Sequence, residues 1–431
     1  MKNMKTIHLI TLASVLHDSA VVEQAHAGFI TELKRAFEVR WVTPDNMGEL
    51  TADDFSVLFV ATGGVEQAVT RMGSVLPQKA VLVADGLQNS LAASLEISAW
   101  LRSQGRQSEI VHGPVAEMVA RLEMLYDDFQ ALRRLAAMRV GVVGKPSSWL
   151  IASGVDYAVA KTRWGMEMVD VPLSRLCEYF EQTVDSEARP IAERILSDAC
   201  ARQEATDDDV LKAARMYLAL RRIVEEEYLN ALTLSCFDLI GATATTGCLA
   251  LALLNDEGIV AGCEGDLRTL FTMCVAKAVT GQASFMTNPS MIDSQKNEIV
   301  FAHCTIGVRQ TERFTLRSHF ESGISVGIQG YLPLGEVTVM KCGGDRLDEY
   351  FVASGELVEN TDFVNMCRTQ VRVRLNAPTG YFLHSPLGNH HVLLCGNHAE
   401  RVKRFLSVNG CMPTLVSGEK FSDNVLIIKH Q

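Results

Sequence analysis

The 431-residue sequence lacks paired-cysteine motifs and a basic charge excess, and each absence excludes a class of protein. Its 11 cysteines are an odd number, and none forms a Cys-x-x-Cys pair. This usage favours scattered thiols in a reducing compartment over a disulfide framework. The 40 Lys and Arg residues face 51 Asp and Glu residues, a net charge of −11, which argues against binding to nucleic acid or an anionic membrane surface. We therefore predict a cytoplasmic protein.

Uninterrupted apolar segments long enough to cross a membrane are also absent. The longest apolar stretch, residues 232–254, contains Asp238 and many Gly and Thr residues, which argues against a membrane span. The N-terminus begins basic and then apolar, as signal peptides do. However, His8, His17 and Asp18 interrupt it, and no small-residue cleavage site follows cleanly. The alternation over residues 6–14 predicts a buried first strand instead.

Short apolar strands alternate with helical patterns through roughly the first two thirds of the chain. Hydrophobic residues are 48% and charged residues 21%, as in ordinary globular proteins, and the length suggests about three domains. The alternation predicts parallel sheets with helices on both faces. From about residue 298 strand follows strand, which predicts an antiparallel β domain. We expect two Rossmann-like α/β domains at 1–138 and 139–290, then a β-rich domain at 291–431.

Common nucleotide- and zinc-binding motifs are missing, so the candidate chemistry must come from other residues. No Walker loop, His-Glu-x-x-His or Gly-x-Gly-x-x-Gly pattern occurs. Glycine loops at Gly63-Gly64 and at Gly144-Lys145-Pro146 each follow a predicted strand. Turn formation explains both loops at least as well as phosphate binding.

Two carboxylates, Glu264 and Asp266, stand where a predicted strand meets a predicted helix. In open parallel sheets this carboxyl edge is where ligands bind, and paired carboxylates suit metal binding or proton transfer. A simpler interpretation is that Asp266 caps the following helix and that Glu264 is a solvated turn residue. Position alone leaves both interpretations open.

Histidines near the C-terminus form a second candidate group. His390 and His391 are adjacent, so only one of them can face a given side of a strand. His303 lies inside an apolar strand pattern, where a buried histidine with a hydrogen-bond partner is the default interpretation. The side chains of two adjacent histidines are likewise more often hydrogen-bonded within the protein or solvated than used as metal ligands.

The whole chain resembles the L-fucose isomerase and L-arabinose isomerase superfamily, in domain order and in five segments: Cys263-Glu264-Gly265-Asp266, Thr280-Gly281, the strand end at Asn288, the His303 strand and Asn389-His390-His391. The resemblance implies a divalent cation, Mn²⁺, with Glu264, Asn288 and His391 as its ligands. It implies Glu264 as the catalytic base, with Asp266 and His303 as further catalytic residues. His303 is similar in position to an additional histidine ligand of the arabinose isomerase branch.

The activity implied by the resemblance is aldose–ketose isomerisation of a pentose, deoxyhexose or modified hexose. In that chemistry the metal stabilises an enediolate while a base carries a proton between C2 and C1. Asn288 departs from the family pattern, which has an Asp at this position, because an amide oxygen can bind a hard cation but cannot act as a base. A sugar-binding protein without isomerase activity is therefore an alternative. A related reaction of an acidic sugar through the same enediolate is another.

The resemblance also implies a homo-oligomer, a trimer or a hexamer. In that arrangement the first domain closes the active site of a neighbouring subunit. The loop around Gly63-Gly64 would then face that neighbour's pocket.

Overall fold

The computed structural model of the chain describes residues 4–43, 46–73 and 76–414. It forms two compact units, Met1–Arg133 and Arg134–Gln431. Each unit contains a parallel sheet with helices, and the second unit continues into an antiparallel barrel, so the predicted fold class is confirmed. The division into three domains stays a prediction, and its second boundary falls inside the strand Phe285–Asp293.

The first unit is built on a five-stranded parallel sheet with the order β2-β1-β3-β4-β5. Separate apolar clusters cover its two faces, one around Phe29 and Phe59 and the other around Leu82 and Ile97. This burial on both faces explains why the strands at 56–60 and 79–83 are nearly continuous apolar runs. The elements in chain order are β1 (Lys5–Leu12), α1 (Ser19–Ala36), β2 (Phe37–Val42), β3 (Ser56–Val60), α2 (Glu66–Thr70), β4 (Lys79–Val83), α3 (Ser90–Ser103), β5 (Gln107–Val111) and α4 (Val115–Ala136).

The second unit begins with a four-stranded parallel sheet of order β10-β9-β6-β7. Helix α8 starts with a capping box: the Thr206 hydroxyl accepts from the Asp209 N–H, and the Asp209 carboxylate accepts from the Thr206 N–H. The elements are β6 (Arg139–Val143), α5 (Tyr157–Trp164), β7 (Glu167–Val171), α6 (Leu173–Gln182), α7 (Asp185–Asp198), β8 (Ala201–Arg202), α8 (Asp207–Glu226), β9 (Ala231–Leu234), α9 (Cys236–Thr243), α10 (Cys248–Asp256), β10 (Val260–Gly262) and α11 (Leu267–Thr280).

Six antiparallel strands then close into a barrel in the order β15-β18-β11-β12-β17-β16, because β15 also pairs with β16. Strand β19 adds to β16 in parallel, and β8, β13 and β14 form a small separate sheet. The elements are β11 (Phe285–Asp293), β12 (Glu298–His303), β13 (Arg313–Arg317), β14 (Gly327–Tyr331), β15 (Gly335–Gly343), β16 (Glu349–Asn360), β17 (Thr369–Leu375), α12 (Gly380–His384), β18 (His391–Cys395), α13 (Ala399–Val408) and β19 (Met412–Pro413).

The apolar run at residues 231–238, whose pattern alone predicts a single strand, is divided between a strand and a helix in the structure. Strand β9 ends at Leu234 and helix α9 begins at Cys236, with the Ser235 hydroxyl donating to the Asp238 carboxylate at 2.7 Å in its first turn. Cys236 and Leu239 are buried, so the helix continues the apolar pattern of the strand. Periodicity cannot separate the two over so short a run.

The structure bears on two expectations drawn from composition. Among the described residues, no helix is both long enough and apolar enough to cross a bilayer. The 11 cysteines are all free thiols, and most of them are buried.

The turn between β10 and α11 is pinned against the loop that follows β6. Both Glu264 (φ 59°) and Gly265 (φ 68°) have left-handed backbone conformations. A Cβ on Gly265 would lie 2.5 Å from the Pro146 Cα atom, closer than atoms can pack. The Ser147 N–H donates to the Glu264 carbonyl at 3.1 Å, which fixes the backbone from which the Glu264 carboxylate projects.

We expect Gly265→Ala to destabilise the second unit by more than about 2 kcal/mol, because strain at positive φ adds to the clash with Pro146. Gly281→Ala is the matched control, since Gly281 ends the same helix at φ 77° with no atom within 4 Å of its added Cβ. Strain alone should cost about 1 kcal/mol there. Urea denaturation of both variants measures the difference, and equal losses would contradict this account of the turn.

Candidate metal centre

Three side chains of the second unit converge on one point, and their ligand atoms lie within 4.8 Å of one another: Glu264, His303 and His390. The Glu264 Oε1 atom is 3.4 Å from His390 Nε2 and 3.9 Å from His303 Nε2. Glu264 comes from the turn after β10, His303 ends β12 and His390 immediately precedes β18. The parallel sheet and the barrel therefore both contribute to the group.

Each imidazole is oriented by a partner on its other nitrogen. His390 Nδ1 donates to the Asp266 carboxylate at 2.9 Å, and His303 Nδ1 lies 3.0 Å from the Thr305 hydroxyl. The Nε2 atoms of both rings are buried, and neither makes a well-formed hydrogen bond: Glu264 Oε1 lies 3.4 Å from that of His390 and 3.9 Å from that of His303. Buried polar atoms in this state are rare and costly, and a cation held between the rings and Glu264 would satisfy both. Partners of this kind on the distal nitrogen are characteristic of metal-bound histidines.

Glu264 is held by a tryptophan as well as by its backbone. The Trp149 indole N–H donates to Glu264 Oε2 at 3.1 Å, which leaves Oε1 toward the imidazoles. Burial opposes ionisation of this carboxyl group, but the attraction of His390 and His303 and the Trp149 hydrogen bond outweigh it and lower its pKa to about 2. Glu264 is therefore ionised at neutral pH, as a metal ligand must be.

Asp266 is fully buried and orients its neighbours. Its carboxylate caps α11 by accepting from the Thr269 N–H at 2.7 Å and the Thr269 hydroxyl at 2.8 Å. It also lies 3.8 Å from the ammonium of Lys341, which is itself completely buried. Burial raises the pKa of Asp266, but the charges of Lys341 and His390 hold it well below its usual range. The helix-capping interpretation is confirmed, and a catalytic role for Asp266 stays a prediction.

The two histidines of the group are in different protonation states when no metal is bound. Burial opposes a charge on His390, but the Asp266 and Glu264 carboxylates outweigh it and raise its pKa to about 9. Burial and the charge of His390 lower the pKa of His303 to about 3. At neutral pH His390 is therefore charged and His303 is neutral.

The converging group does not include His391. His391 is buried with its Nδ1 2.9 Å from the Asn389 carbonyl and its Nε2 3.1 Å from the Tyr381 hydroxyl, so both ring nitrogens are occupied. Asn288 pairs with Ala302 across β11 and β12. Among the described residues, its amide forms no hydrogen bond with Glu264 or either histidine of the group. Their ligand roles stay predictions, and the geometry favours His390 over His391.

The metal ligands and catalytic residues predicted from the sequence do not include three residues of the site: His390, Trp149 and Lys341. Adjacency in the sequence indicated that only one histidine of the pair faces a given side, but it did not say which. Trp149 lies on the loop that begins with Gly144-Lys145-Pro146, directly after a strand of the parallel sheet. Ligands bind at the carboxyl edge of such sheets, and this rule was the signal that could have indicated Trp149. The sequence offers no signal that Lys341, in an apolar strand, is the partner of a buried carboxylate.

An aromatic wall extends from the metal centre across Trp149. The Phe237 ring packs edge-on against Trp149 at 5.0 Å and lies 5.9 Å from the His319 ring. His319 Nε2 is 3.3 Å from the Glu321 carboxylate. Burial and the negative charge of Glu264 raise the pKa of Glu321. This wall offers apolar ring faces and a second carboxylate close to the metal centre.

The donor set defines which cations fit. Two imidazole nitrogens and one carboxylate suit a divalent first-row transition metal better than Ca²⁺ or Mg²⁺, which prefer oxygen ligands. Three protein ligands leave positions on the metal for substrate oxygens. Such a centre is able to polarise a carbonyl group or stabilise an oxyanion.

The known proteins to which this chain is similar are sugar isomerases. Residues 152–282 match the L-arabinose isomerase central domain, a segment that contains Glu264 and Asp266. The chain is 24% identical over 306 residues to a sulfoquinovose isomerase of Alkalicoccus urumqiensis, covering 67% of each protein. It is 22% identical over 328 residues to a sulfoquinovose isomerase of Priestia megaterium, covering 73% of each. The predicted resemblance to the L-fucose and L-arabinose isomerase superfamily is confirmed.

We expect divalent metal binding at pH 7 to release about one proton, because only His390 must lose one. Glu264, with a pKa of about 2, and His303, with a pKa of about 3, have already lost theirs. The release should fall toward zero as the pH rises through about 9, the pKa of His390. Calorimetric titration with Mn²⁺ in buffers of different ionisation enthalpy counts the protons. Release of two protons, or of none at pH 7, would contradict this assignment.

We expect Asp266→Asn to weaken Mn²⁺ binding by about 10- to 100-fold, because His390 loses the carboxylate that orients it. Asn also serves well as an N-cap, so the start of helix α11 should persist even though the buried Lys341 ammonium loses its charge partner and stability falls. The control is Asp209→Asn, which replaces the capping-box carboxylate of α8 in the same way. Metal affinity that falls equally in both variants would show a general loss of stability instead.

Proposed function

We propose that this chain is a metal-dependent aldose–ketose isomerase acting through an enediolate. The observation that carries the proposal is the convergence of the Glu264 carboxylate on two buried imidazole nitrogens that make no well-formed hydrogen bond. The distant relationship to sugar isomerases supports it independently. Glu264, His303 and His390 would hold the metal, which supplies a Lewis acid for the carbonyl and enediolate oxygens.

Glu264 is the proposed base that takes the proton from C2 of the aldose and delivers it to C1 of the enediolate to give the ketose. Its backbone and its Oε2 atom are fixed by Ser147 and Trp149, so only small movements of the carboxylate are needed during proton transfer. Since its pKa is about 2 in the metal-free site, it is always ionised at neutral pH. Its basicity is low while His390 carries a proton.

A second proton carrier is needed because Asn288 cannot accept a proton. Glu321 is the candidate, since burial and the charge of Glu264 raise its pKa. A carboxyl group whose pKa lies closer to neutrality is better suited to general acid–base catalysis. His319, which contacts both Phe237 and Glu321, would set its orientation.

The relatives suggest which sugar to test first. Two of them, from different organisms, are named sulfoquinovose isomerases, so a sugar carrying an anionic substituent joins pentoses and deoxyhexoses as a candidate substrate class. We propose Mn²⁺ as the first metal to supply. A cytoplasmic homo-oligomer, with the Gly63-Gly64 loop facing a neighbouring subunit, remains part of the proposal, and mass photometry tests its assembly.

We expect the purified protein with Mn²⁺ to convert at least one aldose of a panel that includes sulfoquinovose, L-arabinose and L-fucose. Glu264→Gln should lower kcat/KM by on the order of 100-fold or more, because it removes both the base and a charged ligand. Glu312→Gln is the control, since Glu312 is exposed and forms no ion pair among the described residues. No turnover of any sugar, together with unchanged metal content in Glu264→Gln, would refute the proposal.

A sugar-binding protein without isomerase activity is the second candidate, favoured by the amide at Asn288. The two functions differ in whether the C2 hydrogen exchanges with solvent. Incubation of a bound aldose in deuterated water, followed by NMR, separates them. Deuterium incorporation at C2 excludes the binding protein, while binding without incorporation excludes the isomerase.

A further inference from the structure

A second cavity lies at the other end of strand β10 from the metal centre. It has a volume of about 610 Å³, and its polar lining consists mainly of Asp256, Glu257, Lys277, Gln282, Arg309 and Gln310. Asp256 is the last residue of α10, before β10, whereas Glu264 follows β10. The volume is in the range of pockets that hold small molecules. Neither the isomerase proposal nor the comparisons assign a role to it.

Two buried polar atoms that line this cavity have no hydrogen-bond partner among the described residues: Asp256 Oδ2 and Gln310 Nε2. Orphaned atoms of this kind also mark the metal centre. Both side chains pack against Gly307, because a Cβ there would lie 2.6 Å from Asp256 Oδ1 and 2.8 Å from Gln310 Nε2. An unsatisfied acceptor and an unsatisfied donor in one lining form the pattern that hydroxyl groups, which both donate and accept, would complete.

The cavity also has two cationic side chains. Lys277 and Arg309 form no ion pair with any described residue, while Glu257 accepts a hydrogen bond from Tyr217 and lies 3.8 Å from Arg221. Among the described residues, Asp256 is therefore the lining carboxylate with a buried unsatisfied oxygen. Burial raises its pKa to about 6, against the opposing effect of Arg309. The unpaired charge of the lining is thus predominantly positive.

We propose that this cavity is a binding site for a polyhydroxylated anion, such as a sugar that carries a phosphate group. Its hydroxyl groups would bond Asp256 Oδ2 and Gln310 Nε2, and its anionic group would pair with Lys277 and Arg309. Inorganic phosphate has no hydroxyl chain to reach both orphaned atoms, and a neutral sugar leaves the two cations unpaired. The ligand must therefore carry both hydroxyl groups and an anionic group to bind well.

The test is calorimetric titration of the metal-free full-length Glu264→Gln protein with D-glucose 6-phosphate, so that the metal centre does not contribute. We expect binding, with inorganic phosphate and D-glucose each at least about tenfold weaker, a difference of about 1.4 kcal/mol. Arg309→Gln and Lys277→Gln should each weaken the sugar phosphate by about tenfold or more. Lys296→Gln, which removes an exposed lysine that faces Asp293, should leave it unchanged.

Three results would overturn the proposal: no binding of D-glucose 6-phosphate, equal affinity for inorganic phosphate as for an adventitious ion only, or affinity unchanged in Arg309→Gln. Arg309 is exposed, so its replacement should not prevent folding, which circular dichroism checks for every variant. Because every titration uses protein that already carries Glu264→Gln, the measured affinity does not depend on whether the chain is an isomerase.

Discussion

The candidate site depends on one buried carboxylate, that of Asp266. It receives hydrogen bonds from the start of α11 and from His390, and it faces the buried ammonium of Lys341 on β15. A carboxylate with no solvent contact is tolerated only when its charge is paired and its oxygens are bonded. Asp266 thus couples the parallel sheet to two strands of the barrel. The same group that ends the Glu264 turn also orients the imidazole facing Glu264.

Much of this architecture was predictable, because it depends on local patterns. The alternation of strands and helices gave the parallel sheets, and the run of strands after residue 298 gave the antiparallel part. The start of α8 is likewise a short-range signal, because Thr206 is a favoured N-cap residue and acidic residues follow it in the first turn. The position of Glu264 after a strand of a parallel sheet predicted its place at a site.

The remaining features depend on long-range packing. Whether His390 or His391 faces Glu264 is decided by the twist and register with which β18 joins the barrel, and adjacent residues carry no record of that choice. Lys341 is distinctive only because Asp266 lies opposite it, 75 positions earlier in the chain. The apolar run after β9 is compatible with a strand or a helix, and tertiary contacts of Cys236 and Leu239 decide for the helix.

The contact between Gly265 and Pro146 limits how this site is able to evolve. Because the loop carrying Trp149 lies directly on the turn that holds Glu264, an insertion before Trp149 would displace a candidate metal ligand together with the pocket wall. Substitutions along the loop change the wall while the turn stays in place. New substrate preferences are therefore more accessible through changes of side chain here than through changes of loop length.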